Sequence, residues 1–315
     1  MEPGASSAPA ALVPPRLRAG DRVRVVSPAS RPERSQVTRG AEILASWGLT
    51  VEIGQHAFDR FGHYLAGRDE DRLADVNDAL RDPGVRAIIA TTGGKGAYRI
   101  ASGVDVAAAR RDPKPLVGFS DITMLHLVLW QRCRLVGFHG PHAGWHEWYG
   151  SQVADALRCA LMQPELVSVH QDPGELTAKV LVEGRATGAL LGGNLDTIGR
   201  SVGWACPSFD GAILLIEDVD KHIGAMDRSL TQLLESGCLD GVRGVAVGQF
   251  IRSAEEGPGR WSIIDLLYDR LGPLGVPILG GLPIGHGAQP PTVPLGANAT
   301  LDTATRTLTV EPGVR

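Results

Sequence analysis

Along this chain, short apolar runs rich in valine and isoleucine alternate with longer segments whose apolar residues recur at helical spacing. "DRVRVVSPAS" predicts a strand over Arg22–Val26 that ends in a Ser/Pro turn. "RGAEILASWG" predicts a helix closed by Gly48, and "LTVEIG" alternates as a strand does. "DEDRLADVNDALRDPG" is an amphipathic helix with acids in its first turn and Pro83-Gly84 behind it. "VRAIIATTGG" and "KPLVGFS" read as buried strands, and "DITMLHLVLWQR" as an apolar helix. Strands that are apolar on both faces and alternate with helices demand a parallel sheet covered on each side, because a βαβ crossover places its helix over the sheet. The second half repeats the pattern: "GAILLIEDVD", "AMDRSLTQLLESGCL", "GVRGVAVGQF", "WSIIDLLYDRLG", then the hairpin-like "NATLDTATRTLTV".

A chain of 315 residues favours two such units. The Ala/Pro-rich residues 1–19 read as a flexible lead-in without a charged, then apolar, secretory pattern. A Pro-containing stretch near 164–178 marks the boundary, giving an N-terminal domain over 20–168 and a C-terminal domain over 169–315. With 31 Lys plus Arg against 35 Asp plus Glu, and no dense basic run, nucleic acid is not expected as the main partner. No apolar run nears the roughly 20 residues of a spanning helix, so no membrane partner is expected and the default compartment is the cytoplasm. Four widely spaced cysteines form no C-x-x-C and are expected reduced and mostly buried.

Three positions stand where a strand runs out, the edge at which open α/β folds bind ligands. Ser120 in "VGFSDIT" is placed either as a nucleophile on a tight strand-to-helix turn or as a helix cap, a role Asp121 can equally fill. Glu217 opens the acidic end of "AILLIEDVD"; it can orient a histidine, join Asp218 and Asp220 around Mg²⁺, or lie in an exposed turn. His286 in "PIGHG" is either an accessible general base or an ordinary loop histidine.

Other motifs carry less chemistry. "TTGGKGAYR" fails as G-x-G-x-x-G at Arg99, and no G-x-x-x-x-G-K-[ST] exists, so a P-loop is excluded. A Gly-Gly turn can still aim a backbone N–H at an oxyanion. H-E-x-x-H fails at Gly150, though His139, His142 and His146 in a glycine-containing loop leave a zinc reading open. Trp145 and Trp148 can stack on a planar ligand or pack an interface.

Taken jointly, "GDRVRVVSPAS", "ATTGGKGAYRI", "PLVGFSDIT", "FHGP", "GALLGGNLDTI", "LLIEDVD…MDRSLTQL" and "LPIGHG…PTVPLGANATLD" make the chain resemble the LD-carboxypeptidase family of serine peptidases, which includes the microcin C immunity-type enzymes. The matching segments run over about residues 20–302. The resemblance implies a flavodoxin-like N-terminal domain with a parallel sheet, a smaller swivelling α/β C-terminal domain, and a homodimer. It implies Ser120 as nucleophile, His286 as general base, Glu217 as its orienting acid, and backbone N–H donors at Gly94 and Asp121. No cofactor or metal is implied. The implied substrate is a murein tetrapeptide losing its terminal D-alanine, or in the immunity-type branch an aminoacyl- or peptidyl-nucleotide. Thr92, Lys95, Arg99, Trp145, Trp148 and Asn194 are the expected substrate-binding residues. The family's common R-G-G-Y-G is here T-G-G-K-G, with Thr92 and Lys95 at the departing positions. Thr cannot replace a bidentate Arg, so recognition of a substrate carboxylate passes to Lys95 or Arg99.

Overall fold

The computed structural model describes residues 10–252 and 261–315. Residues 1–9, part of the expected flexible lead-in, lie outside the described residues. Strands β1 (Arg22–Val26), β2 (Thr50–Ile53), β3 (Val85–Ala90), β4 (Leu116–Val117) and β5 (Gly137–His139) form a parallel sheet in the order 2-1-3-4-5. That is the flavodoxin-like order. A second sheet of eight strands is built from β6 (Val167–His170), β7 (Leu181–Val182), β8 (Arg185–Asn194), β9 (Ala212–Val219), β10 (Gly244–Ile251) and β11 (Ile278–Leu279). After β12 (Val293–Leu295), the strands β13 (Asn298–Asp302) and β14 (Thr307–Val310) complete it. Its centre, β8-β9-β10-β11, is parallel and its flanks are antiparallel.

The chain passes between the sheets in ways its linear order hides. β6 straddles the expected boundary at 168/169 and already belongs to the second sheet. β12 leaves that sheet to pair antiparallel with β5, Val293 opposite His139, so the segment between β11 and β12 crosses from one sheet to the other. His286 rides on this crossing. Residues 10–19 are not a loose lead-in. Leu12 bridges Leu135, the Leu17 N–H donates to the Leu161 carbonyl, and Arg16 and Pro14 pair with the Arg315 backbone. Leu17 is buried, a gain of about 2 kcal/mol for such a side chain, which fixes the segment.

Each sheet carries a core on both faces. Val26, Ile88, Leu116 and Leu125 lie on one side of the first sheet, and Val25, Ile89, Phe138 and Leu157 on the other. In the second sheet Leu214, Ile216 and Leu230 oppose Ile213, Leu215 and Ile284. Helix Thr123–Cys133 serves both units, because Leu125 packs with the first core while Leu127 and Trp130 pack with the second. All four cysteines are free, but only Cys133 is buried; the other three are half-buried, on or beside helix faces that reach the surface.

Candidate functional site

Ser120 follows a two-residue strand through Gly118 and Phe119. Gly118 takes φ 156°, and a Cβ there would meet Ile122 at 3.0 Å. Ser120 itself takes φ 60°, the left-handed region that costs a non-glycine residue about 1–3 kcal/mol and clusters at functional sites. No side chain caps the turn Ser120–Ile122 or the helix that follows, so the hydroxyl does not serve as an N-cap. Opposite lies the turn after β3. A Cβ added to Gly93 would fall 2.7 Å from Ser120 Cβ, 2.9 Å from its Oγ and 3.4 Å from the Asp121 amide nitrogen. Glycine is needed for the two turns to approach this closely.

Glu217 is fully buried at the end of β9, level with Asn194 on β8. Its Oε2 lies 2.7 Å from His286 Nδ1, so the reading of Glu217 as an exposed acidic turn does not hold. Room for the pair comes from glycines: a Cβ on Gly285 would sit 2.9 Å from Glu217 Oε2, and one on Gly248 would sit 3.2 Å from Glu217 Cβ. Burial alone would push the His286 imidazole down. The charge and hydrogen bond of Glu217, with the Asp218 charge behind them, outweigh it, and the proton affinity is raised above the ordinary imidazole value. With Nδ1 donating to the carboxylate, the neutral ring presents its Nε2 lone pair away from Glu217. Asp218 is pushed up to about 6 by burial and by the neighbouring Glu217 charge. It accepts from Asn194 Nδ2 at 3.0 Å and from the Asp196 amide at 3.0 Å, so the acidic strand end is tied down by hydrogen bonds within the protein.

The two halves meet at Phe119. Its ring lies 4.7 Å edge-on from His286 and 4.4 Å stacked on His142, with His139 at 5.6 Å. Buried His142 has Nε2 3.1 Å from the Phe119 carbonyl oxygen and 3.3 Å from its amide nitrogen. Buried His126 has Nε2 2.9 Å from the Gly118 carbonyl oxygen. Burial pushes His126 and His139 down to about 4 and His142 to about 3, so all three are neutral near pH 7. Phe119 and His126 carry no site signal in the sequence. An aromatic at a strand end and a histidine in an apolar helix look like core, and the relevant partners are backbone atoms.

The remaining expected residues divide. Gly94, at φ 91°, packs against Ser30, whose Oγ would be 2.3 Å from a Cβ there. Asp121 is buried and its carboxylate accepts from the Ala97 N–H at 2.7 Å, holding the glycine turn against the serine turn; burial raises it to about 6. Thr92 is half-buried and Lys95 exposed. Among the described residues Lys95 forms no ion pair, whereas Arg99 is held by Asp69 through Nε at 2.8 Å and NH2 at 2.7 Å. Trp145 is a correction: it is 5% exposed in the core with Leu157 and Val153, so no ligand can stack on it. Trp148 is 61% exposed, with His146 stacked against it at 4.2 Å. Asn194 is buried, caps the helix Leu195–Ser201 by accepting from the Thr197 N–H, and donates to Asp218. Asn before a helix is an N-cap signature, and that signal was available in "GGNLDTI". Among the described residues the histidine loop gathers no metal-ligand set; the atoms that do converge within 4.8 Å belong to His56, Asp59 and Asp71.

A flavodoxin-like sheet joined to a second α/β sheet, with a left-handed serine turn beside a carboxylate–imidazole pair, defines a two-domain α/β protein with the makings of a hydrolytic site. Residues 23–140 match the LD-carboxypeptidase N-terminal domain and residues 187–301 the LD-carboxypeptidase C-terminal domain. The chain belongs to the LD-carboxypeptidase family, and it is an enzyme of that carboxypeptidase class. It is 40% identical to a putative carboxypeptidase of Streptomyces coelicolor, over 95% of this chain and 96% of the relative. It is 36% identical to a probable murein peptide carboxypeptidase of Bacillus subtilis, over 96% and 95% of the two chains. A solved structure of MccF in complex with glutamyl sulfamoyl guanosine shares the fold, with a TM-score of 0.83 at 22% identity over 95% of this chain and 98% of that one. No helix among the described residues is long and apolar enough to cross a membrane.

Proposed function

We propose that this enzyme is a serine carboxypeptidase that hydrolyses the amide bond between an L-centre and the terminal D-alanine of murein tetrapeptides, acting in the cytoplasm as a homodimer. The observation that carries the reading is the Glu217–His286 pair set against the residue preceding a left-handed Ser120. Ser120 Oγ attacks the scissile carbonyl and passes its proton to His286 Nε2. The oxyanion is met by the N–H groups of Gly94 and Asp121. As the tetrahedral intermediate collapses, His286 returns the proton to the leaving D-alanine nitrogen. Water, deprotonated by the same imidazole, then releases the acyl group from Ser120. Glu217 fixes the tautomer and stabilises the imidazolium formed on the way. Lys95 is the cation for the substrate's terminal carboxylate, because Arg99 is already engaged by Asp69.

Exposed Trp148 favours one second reading, an aminoacyl- or peptidyl-nucleotide substrate whose base stacks on that ring. Purified wild type and Ser120→Ala, each given a murein tetrapeptide and, separately, an aspartyl-adenylate amide analogue, separate the two by mass spectrometry. Release of D-alanine by wild type, lowered by at least about 10³-fold in Ser120→Ala, is the expected result. Cleavage of the nucleotide analogue alone would move the substrate to the second reading. An active, folded Ser120→Ala variant would overturn both.

A further inference from the structure

Phe119 is enclosed by three imidazoles. His142 stacks on its ring at 4.4 Å and 21°, His286 meets it edge-on at 4.7 Å and 60°, and His139 lies at 5.6 Å. Its own backbone is held by one of these rings, since His142 Nε2 is within 3.1 Å of the Phe119 oxygen and 3.3 Å of its nitrogen. With a proton on Nε2 the imidazole donates to the carbonyl; in the other tautomer it accepts from the amide. Either way, the residue before Ser120 is fixed by a side chain that is itself buried. The triad is assembled from two sheets. Ser120 follows β4 of the first, Glu217 ends β9 of the second, and His286 lies on the crossing between them. Hydrogen bonding ties His286 to Glu217 within the second unit. From the first unit, the Phe119 ring meets His286 edge-on.

We propose that Phe119, locked by His142, is a positioning residue that sets the register between nucleophile and general base across the two sheets. The inference rests on the Ser120–His286–Glu217 reading above. Phe119 acts on Ser120 through one peptide bond and on His286 through ring contact, so a change there misaligns proton transfer without touching the substrate. Misplacement by about 1 Å costs on the order of 100-fold in rate.

The test uses Phe119→Leu, His142→Leu and His142→Gln in the full chain, with Ser120→Ala alongside. Three quantities are read: kcat and KM for tetrapeptide hydrolysis, the rate of Ser120 phosphonylation by a small fluorophosphonate, and the unfolding midpoint. Phe119→Leu is expected to lower kcat by about 10- to 100-fold with KM within about two-fold, and to slow phosphonylation in parallel. His142→Gln, which keeps a hydrogen-bonding group for the Phe119 backbone, is expected to retain about ten-fold more kcat than His142→Leu. Wild-type kcat in Phe119→Leu, equal kcat in the two His142 variants, or a loss confined to KM would overturn the proposal. Failure of all three variants to fold would assign the cluster a purely structural role and overturn it too. A fully active Ser120→Ala would instead bring down the triad reading itself, which keeps the two failures apart.

Discussion

At the scale of single residues, the site rests on one charge balance. Half-buried His286 would be a weaker base than a free imidazole were Glu217 not 2.7 Å from its Nδ1; the carboxylate reverses the effect of burial. The proposed general base must be neutral, so kcat/KM is expected to fall as pH drops through the folded-state value of His286, which lies above the ordinary 6.5. Glu217→Gln removes the nearest charge that holds the imidazole up and leaves burial opposed only by the weaker Asp218 charge. The acidic limb of the pH–rate profile is therefore expected to move to lower pH, while the plateau falls by at least about 100-fold as the imidazolium loses its partner. A profile of D-alanine release from pH 4.5 to 8.5 for both proteins checks this. An acidic limb that stays in place, or moves up, would show that Glu217 does not set the basicity of His286.

At the scale of elements, turns rather than strands carry the specificity. The glycine turn after β3 and the serine turn after β4 face each other, and a Cβ on Gly93 intrudes on Ser120. Gly93→Ala is expected to lower kcat by about 10-fold or more with a small change in stability, since only two turns must separate. Gly40→Ala is the contrasting case. Its Cβ would fall 1.9 Å from the Ala143 carbonyl oxygen, backbone against helix, and it is expected to cost about 1–3 kcal/mol in unfolding free energy. Urea midpoints and kcat measured together distinguish them, and a Gly93→Ala protein with full kcat would detach the glycine turn from catalysis. The strand ends at Ser120 and Glu217 were legible because apolar runs stop abruptly at a polar residue, and a parallel sheet displays that edge. The glycine flanks of His286 left an accessible base and an ordinary loop histidine both open, because its partner Glu217 lies on a distant strand. Trp145 and Trp148 were not separable, because a loop without periodicity does not reveal which ring turns inward. Residues 10–19 and β12 were illegible for a related reason: their partners, Arg315, Leu135 and His139, lie more than 100 residues away in sequence.

At the scale of the whole molecule, the same burial that arranges the site makes the fold sensitive to acid. His126 and His139 are pushed from 6.5 down to about 4 and His142 to about 3. The unfolded chain takes up these protons near pH 6.5 and the folded chain resists them. The stability each lends is full above 6.5 and is lost as pH falls through the window toward 4 and 3. Asp121 and Asp218, raised from 3.8 to about 6, work in the opposite sense: between those values the folded protein holds the extra proton, so acidification favours it. His286, raised, adds to that side. The three depressed imidazoles are displaced further than the carboxyls, so the net expectation is a urea midpoint that drops between pH 7 and pH 5. His126→Gln removes one of the three titrating groups while keeping an amide near the Gly118 carbonyl. That variant is expected to start less stable at pH 7 and to lose less on acidification. A wild-type midpoint that stays level or climbs on acidification would mean that the buried histidines of the serine turn take up protons without unfolding, and that the layer behind Ser120 is more polar than its burial indicates.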